Sequence, residues 1–384
     1  MDDSPGDDGP VDEGEVRRLA REVFAPLAAA GTPGRVNRPL VRALGETGLL
    51  ARLFPTALGG TAGAGVSAAE LCRLREGLAR ECTAAETALA LQGLGTYPLV
   101  QSGSEALAGR VVPAVARGEA VAAFALSEPG AGSDAAALEL AADPDGDGWR
   151  LSGEKTWISN APDADVYTVF ARTTPAAGAR GVTAFVVAGD APGLSGEPIE
   201  MLAPHAIGRL VFDGVAVGPA DVLGDVDAGF TVAMRTLDLF RPSVGAFAVG
   251  MAEAALDHAV AHAAARRAFG RPIAEFQAVS HALADMATRT HAARLLVYDA
   301  ARAYDEGPGG RGSGGDVTRR AAMAKLFATE TAQFVVDAAV QILGARALVA
   351  GHPLEHLYRE VRAPRIYEGT SEIQRTIIAR ALLR

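Results

Sequence analysis

The hydrophobic period changes twice along the chain, and this constrains the fold more than any single motif. From Glu15 to about Gly118, apolar residues recur three and four apart. Val16, Leu19, Ala20, Val23 and Leu27 share one helical face, and "LVRALGETGLLARLF" and "SAAELCRLREGLARECTAAETALALQ" obey the same rule. Gly/Pro clusters such as "PTALGGTAGAG" separate these runs. From about Glu119 to Asp227 the period falls to two: "WRLSGEKTWIS", "DVYTVFART", "GVTAFVVAGD" and "RLVFDGVAVG" alternate or are rich in β-branched and aromatic residues. No crossover helix fits between them, so the spacing predicts an antiparallel sheet, as a small barrel or sandwich. From about Ala228 the helical period returns over Phe230–Ala268, Ala274–Asp305, Thr318–Ala345 and Glu372–Arg384. At ~1.5 Å per residue such runs reach ~45 Å, long enough to pack side by side as a bundle. The expected organisation is α+β and multidomain: a disordered acidic tail (1–14), a helical domain (15–118), a β-domain (119–227) and a helical bundle (228–384).

Composition narrows the function classes. The 384 residues are 49% hydrophobic, enough for a large core divided among two or three domains. Net charge is −10 and no basic stripe is interleaved with aromatics, which argues against a nucleic-acid surface. Cys72 and Cys82 form neither a metal spacing nor a disulfide framework, as expected of a reducing cytoplasm. The start, "MDDSPGDDGPVDEGE", lacks the basic and apolar regions of a secretory signal. No stretch reaches 18 uninterrupted apolar residues, so no membrane span is expected. Lysine occurs only at Lys155 and Lys325 while arginine is plentiful, a bias that reads as genome base composition rather than functional demand.

Four stretches carry chemistry. "FALSEPGAGSD", Phe124 to Asp134, offers small residues and amides that a planar ligand or a phosphate could approach. In "KTWISN", Trp157 and Ser159 lie two apart and would share a strand face, an indole for stacking beside a hydroxyl; the alternative is a core Trp. "ARRAFGRPIAEFQ" places Arg266 and Arg267 in a last helical turn, where the dipole alone favours cations, or at a phosphate. "RIYEGTSEIQRTIIARALLR" holds Glu368 beside Gly369 before a helix. Ser371 and Gln374 form a capping-box pattern there, and Ile373, Ile377, Ile378 and Leu382 form an apolar stripe. The pairs His258/His262 and His352/His356 have i, i+4 spacing but lack the motif and third ligand of a metal site. "DEGPGGRGSGGD" reads as a flexible connection, since no strand precedes it and no GK[ST] follows.

Taken together, "SEPGAGSD", "GEKTWISN", "GFTVAMRTLDL", "RRAFGRPIAEFQ", "AVQILG" and "IYEGTSEIQR" resemble the acyl-CoA dehydrogenase family, in family order from about Glu15 to Arg384. The resemblance implies a helical N-terminal domain, a β middle domain and a C-terminal four-helix bundle. It implies non-covalent FAD and a cytoplasmic homotetramer or homodimer. It places Phe124, Leu126, Ser127, Gly132 and Ser133 along the flavin, with Trp157, Ile158 and Ser159 over and beside the ring. Arg266, Phe269 and Gln277 would reach a neighbouring subunit's FAD. Gln341, Ile342, Gly344, Thr370, Ser371 and Glu372 would fall on the segments that grip the adenine and diphosphate of FAD.

The same resemblance makes Glu368 the base that removes the proton α to a thioester carbonyl, while the β-hydrogen leaves as hydride to the flavin. In other branches of the family the base precedes the Arg of the first long helix; here that position is Phe240, a pocket wall. Ser133, Asp238, Arg241, Tyr367, Gly369 and Arg380 fall on the substrate side. Two departures stand out. "GARAL" (Ala345, Arg346, Ala347) replaces a glycine-rich segment, and Ala203, Ala206 and Ile207 replace a polar triplet before "LVF". The expected activity is α,β-dehydrogenation of an acyl-CoA, with an electron-transfer flavoprotein as a possible acceptor. The alternatives are the same chemistry on a carrier-protein thioester, or a catalytically silent FAD-binding protein.

Overall fold

The computed structural model describes residues 11–307 and 315–383. The first ten residues of the expected tail, and most of the "DEGPGGRGSGGD" connection, lie outside the described residues. The helical domain starts inside the stretch read as tail. Asp12 accepts a hydrogen bond from the Gly14 amide at 2.9 Å and caps α1 (Glu13–Leu19), while Val11 packs into the core. A π turn at Ala20–Phe24 continues α1 into α2 (Ala25–Ala29). There follow α3 (Arg38–Glu46), α4 (Ala68–Glu81), α5 (Thr83–Ser102) and α6 (Glu105–Ala116). Asn37, Ser67 and Ser104 cap α3, α4 and α6 through the amides of Leu40, Glu70 and Leu107.

The middle strands are β1 (Ala122–Ala125), β2 (Ala141–Asp145), β3 (Gly148–Ser159), β4 (Val166–Arg172), β5 (Val182–Ala188), β6 (Leu194–Pro198), β7 (Ile207–Val217) and β8 (Val222–Leu223). They form one sheet in the order β6-β7-β3-β2-β4-β5-β8, with β1 beside β4. The expectation of a purely antiparallel sheet needs correction: β1 runs parallel to β4, and β2 meets β4 in parallel at Ala141 and Arg172. The crossover between β1 and β4 is made by the β2–β3 hairpin instead of a helix, so no helical period marks it. α5 carries the sheet closely. A Cβ at Gly95 would lie 2.7 Å from the Ala123 amide nitrogen. Gln92 Oε1 accepts from the Ala122 amide at 2.8 Å, and Thr168 Oγ1 donates to the Gly95 carbonyl at 2.9 Å.

The C-terminal bundle comprises α7 (Gly229–Ala265), α8 (Gln277–Asp305), α9 (Gly315–Leu343), α10 (Pro353–Glu360) and α11 (Ser371–Leu382). The first predicted run stops short of Ala268. Arg266 is extended (φ −73°, ψ 123°), and β9 (Arg267–Ala268) pairs with β10 (Arg271–Pro272). Phe269 (φ 52°) and Gly270 (φ 82°) make the tight left-handed turn between them. Arg266 and Arg267 are therefore not in a last helical turn, and α8 begins at Gln277 rather than Ala274.

By length and hydropathy alone, α7 and the segment Asp316–Leu348 would qualify as membrane spans. In α7 that hydropathy serves the core, because the helix packs on α4, α8 and α9 and 67% of its apolar window is buried. Gly250 permits the approach to α4: a Cβ there would stand 2.5 Å from the Glu76 carbonyl oxygen and 2.8 Å from Ala79 Cβ. Gly250→Val is expected to lower stability by about 1–3 kcal/mol through overpacking, read as a lower urea midpoint.

Candidate active site

Glu368 (φ 51°) and Gly369 (φ 91°) are consecutive left-handed residues that turn the chain into α11. Left-handed backbone at a glutamate costs about 1–3 kcal/mol and persists only where its surroundings enforce it. Lys325 Nζ donates to the Gly369 carbonyl at 2.6 Å. Gln374 Nε2 donates to the carbonyls of Glu368 (3.1 Å) and Gly369 (3.0 Å). The predicted capping box is displaced by one residue. Thr370 is the N-cap, accepting from the Ile373 amide at 3.3 Å, because the chain becomes extended only after Gly369. Ser371 is already helical and donates to Glu330 Oε1 at 2.6 Å. The predicted apolar stripe on α11 is not buried within this chain: its buried residues are Ser371 and Gln374, and Leu382 is exposed.

The Glu368 Oε2 atom is shut off from solvent and has no hydrogen-bond partner among the described residues. Burial raises the carboxyl above the ordinary carboxylate range, against the opposing pull of Arg75, Lys325 and Arg241. Arg75 on α4 is buried, ion-paired with Glu86 of α5, and donates to Ser243 Oγ at 2.7 Å. Arg241 on α7 pairs with Asp238 at 2.9 Å. Burial raises the Asp238 carboxyl, with Arg241 opposing. Lys325 on α9 is fully buried and is pushed down to about 8 by burial, with Glu368 the main opposing influence. Phe240 is 1% exposed and packs edge-on to Tyr97, with ring centroids 5.7 Å apart. It presses so closely on α5 that a Cβ at Gly93 would stand 2.8 Å from its ring.

The flavin candidates fall into three groups. In the first, the register of β3 against β7 shifts between Lys155 and Ile158, with Trp157 at φ 59°. Trp157 is therefore neither a core residue nor on one regular pleat with Ser159: a bulge leaves it 56% exposed, with Ile158 buried beside it. The Thr156 amide donates to the Ser127 carbonyl at 3.0 Å, and Lys155 Nζ donates to the Leu126 carbonyl at 3.0 Å, so β3 and the "SEPGAGSD" loop are stitched together. Phe124 packs against Phe170 with centroids 4.9 Å apart. Gly132 and Ser133 are exposed, and a Cβ at Gly132 would meet no atom within 4 Å.

The second group is exposed around the β9–β10 hairpin: Arg266 leads into it, Phe269 sits at its turn, 94% exposed, and Gln277 opens α8 just after it. Among the described residues this group forms no hydrogen bond or ring contact with the first. The third group comprises Gln341, Ile342 and Gly344 at the end of α9, and Thr370, Ser371 and Glu372 at the start of α11, two helices that pack together. Arg380 stands exposed near the end of α11. A wide open loop, an uncovered indole and a projecting aromatic suit a large planar dinucleotide, and the solvent-shielded Oε2 suits proton transfer.

Arg75, Glu86, Ser243 and Lys325 escape a sequence reading. The available signal was lysine's rarity, because the chain's two lysines are both fully buried beside this chemistry. The histidine pairs are split among other partners. The His258 and His352 rings face each other at 6.2 Å, while His356 Nε2 lies 2.7 Å from Thr83 Oγ1. His205 Nε2 and Glu360 Oε2 are 2.6 Å apart. Burial opposes the charge on His205, but Glu360 leaves its pKa raised.

Comparison with known proteins matches all three domains of the chain. Residues 13–119, 123–215 and 227–383 match the family models for the acyl-CoA dehydrogenase N-terminal, middle and C-terminal domains. Cyclohexane-1-carbonyl-CoA dehydrogenase of Geobacter metallireducens is 36% identical over 96% of each chain. The structure of butyryl-CoA dehydrogenase from Megasphaera elsdenii superimposes with a TM-score of 0.89 at 33% identity, covering 100% of both chains. That of PigA with FAD and proline superimposes with a TM-score of 0.90 at 26% identity, covering 100% of this chain and 99% of the other. With three consecutive domains matched in order, the chain belongs to the acyl-CoA dehydrogenase family of FAD-dependent oxidoreductases.

Proposed function

We propose that the protein oxidises an acyl-CoA to a trans-2-enoyl-CoA, with Glu368 as the base. One observation carries this: a carboxylate oxygen without a hydrogen-bond partner among the described residues, shielded from water, on a loop held in a left-handed turn. Shielding makes the carboxylate a stronger base, and the cations around it oppose the loss of its charge. Bound FAD supplies the acceptor for the β-hydrogen as hydride. Trp157 would cover the ring, Ser127 and Ser159 would bond its edges, and the open Gly132–Ser133 turn would let the backbone approach. Ser371 Oγ is engaged by Glu330, so amides at the α11 start, rather than this hydroxyl, would meet the diphosphate.

The projection of Phe269 suits contact with the FAD of a second copy, and Met323, Phe327 and Phe334 on α9 leave further apolar surface for such an assembly. A homotetramer or homodimer in the cytoplasm, passing electrons to an electron-transfer flavoprotein, completes the reading.

A carrier-protein thioester is the second reading, favoured by the loop before β7. Ala203 is buried there, and the His205 ring is turned to Glu360, so the segment offers little to a CoA phosphate. The two are separated by presenting one acyl group on CoA and on a phosphopantetheinylated carrier protein. Equal or greater kcat/KM for anaerobic flavin reduction by the CoA ester is the expected result. A preference of tenfold or more for the carrier, about 1.4 kcal/mol, would overturn it.

A further inference from the structure

We propose that Lys325 is a positioning residue for the base: it clamps the Glu368–Gly369 turn through the Gly369 carbonyl and supplies the uncompensated positive charge that faces the Glu368 carboxylate. The inference rests on the reading of Glu368 as the base. Three cations act on that carboxyl, and their own partners differ. Arg75 is neutralised by Glu86, between α4 and α5. Arg241 is neutralised by Asp238 within α7. Lys325, among the described residues, has no carboxylate within ion-pair distance, and its ammonium donates only to the Gly369 carbonyl. A carbonyl satisfies a donor but not a charge, and a fully buried ammonium is costly without an opposing anion. The acid acting on it most strongly is Glu368, ahead of Glu330 on α9 and Glu372 on α11, while Arg241 repels it. Glu368 Oε2 is in turn without a hydrogen-bond partner among the described residues. Each group therefore supplies the charge the other lacks.

The residue type agrees. This chain places arginine at nearly every cationic position and keeps lysine at two buried ones. A lysine is a compact charge on a flexible stem, able to reach one carbonyl inside a packed helix pair where a planar guanidinium would demand several acceptors.

The test uses the FAD-loaded enzyme with Lys325→Gln, Lys325→Met and Lys325→Arg. Losing the charge removes a stabilising influence on the carboxylate, so the Glu368 pKa should rise. The acid limb of flavin reduction should then move to higher pH by about 1–3 units in the Gln and Met variants, the usual effect of one close opposite charge. Arg should restore part of the shift. A second readout needs no turnover: infrared titration of the Glu368 carboxyl band, identified by its loss in Glu368→Gln, should show the same displacement. A rate that falls evenly at all pH values with an unmoved carboxyl midpoint would overturn the proposal. If Glu368→Gln kept its rate, the base reading would fail, while the infrared midpoint would still report whether Lys325 and Glu368 are coupled.

Discussion

Glu368→Gln is expected to slow anaerobic flavin reduction by at least ~10²–10⁴-fold while the visible flavin absorbance persists. The substitution keeps the shape of the side chain and removes its basicity. The main-chain ties of the loop, from Lys325 and Gln374 to the carbonyls of Glu368 and Gly369, do not involve the carboxyl and should survive. The wild-type pH profile follows from the same site. Burial raises the Glu368 carboxyl, so with Glu368 as the proposed base activity should be lost as pH falls through that raised value. The acid limb should therefore lie above the ordinary glutamate range. Near-normal reduction by the Gln variant would place the base elsewhere.

Lys155→Met should have the largest effect on stability, about 3–5 kcal/mol, because it strands Glu128 as a buried charge. Lys155 is fully buried, lies 2.7 Å from Glu128 Oε1, and is pushed down to about 8 by burial, with Glu128 opposing. Glu128 also accepts the amides of Glu139 (2.6 Å) and Leu140 (2.9 Å). The pair thus fixes the "SEPGAGSD" loop, and with it Ser127, against β3. Urea unfolding should show the loss, and FAD should bind more weakly in proportion. Adding Glu128→Gln removes the stranded charge but keeps an acceptor for only one of the two amides, so the double variant should recover only part of the stability. Equal stability of the single variant and wild type would show that the pair does not anchor the loop.

What the sequence by itself determined was whatever depends on neighbours along the chain. The change of period from helical to two and back gave the helical, β, helical order of the fold, since side-chain direction follows from local backbone geometry. Glu368 beside Gly369, and the stretches around Trp157, Arg266 and Thr370, were legible as motifs. Local reasoning missed where a residue broke its own periodicity. Trp157 looked like half of a strand face but sits in a bulge, and Arg266 looked helical but enters a hairpin. The tertiary structure alone decided what surrounds Glu368. Arg75 is drawn to Glu368 from far earlier in the chain, Arg241 from the middle and Lys325 from α9. Coulomb energy depends on distance through space and on the water excluded between charges, and neither is written in sequence separation. For that reason the lysine bias could be counted in the sequence, but its meaning emerged only when both lysines proved to be buried.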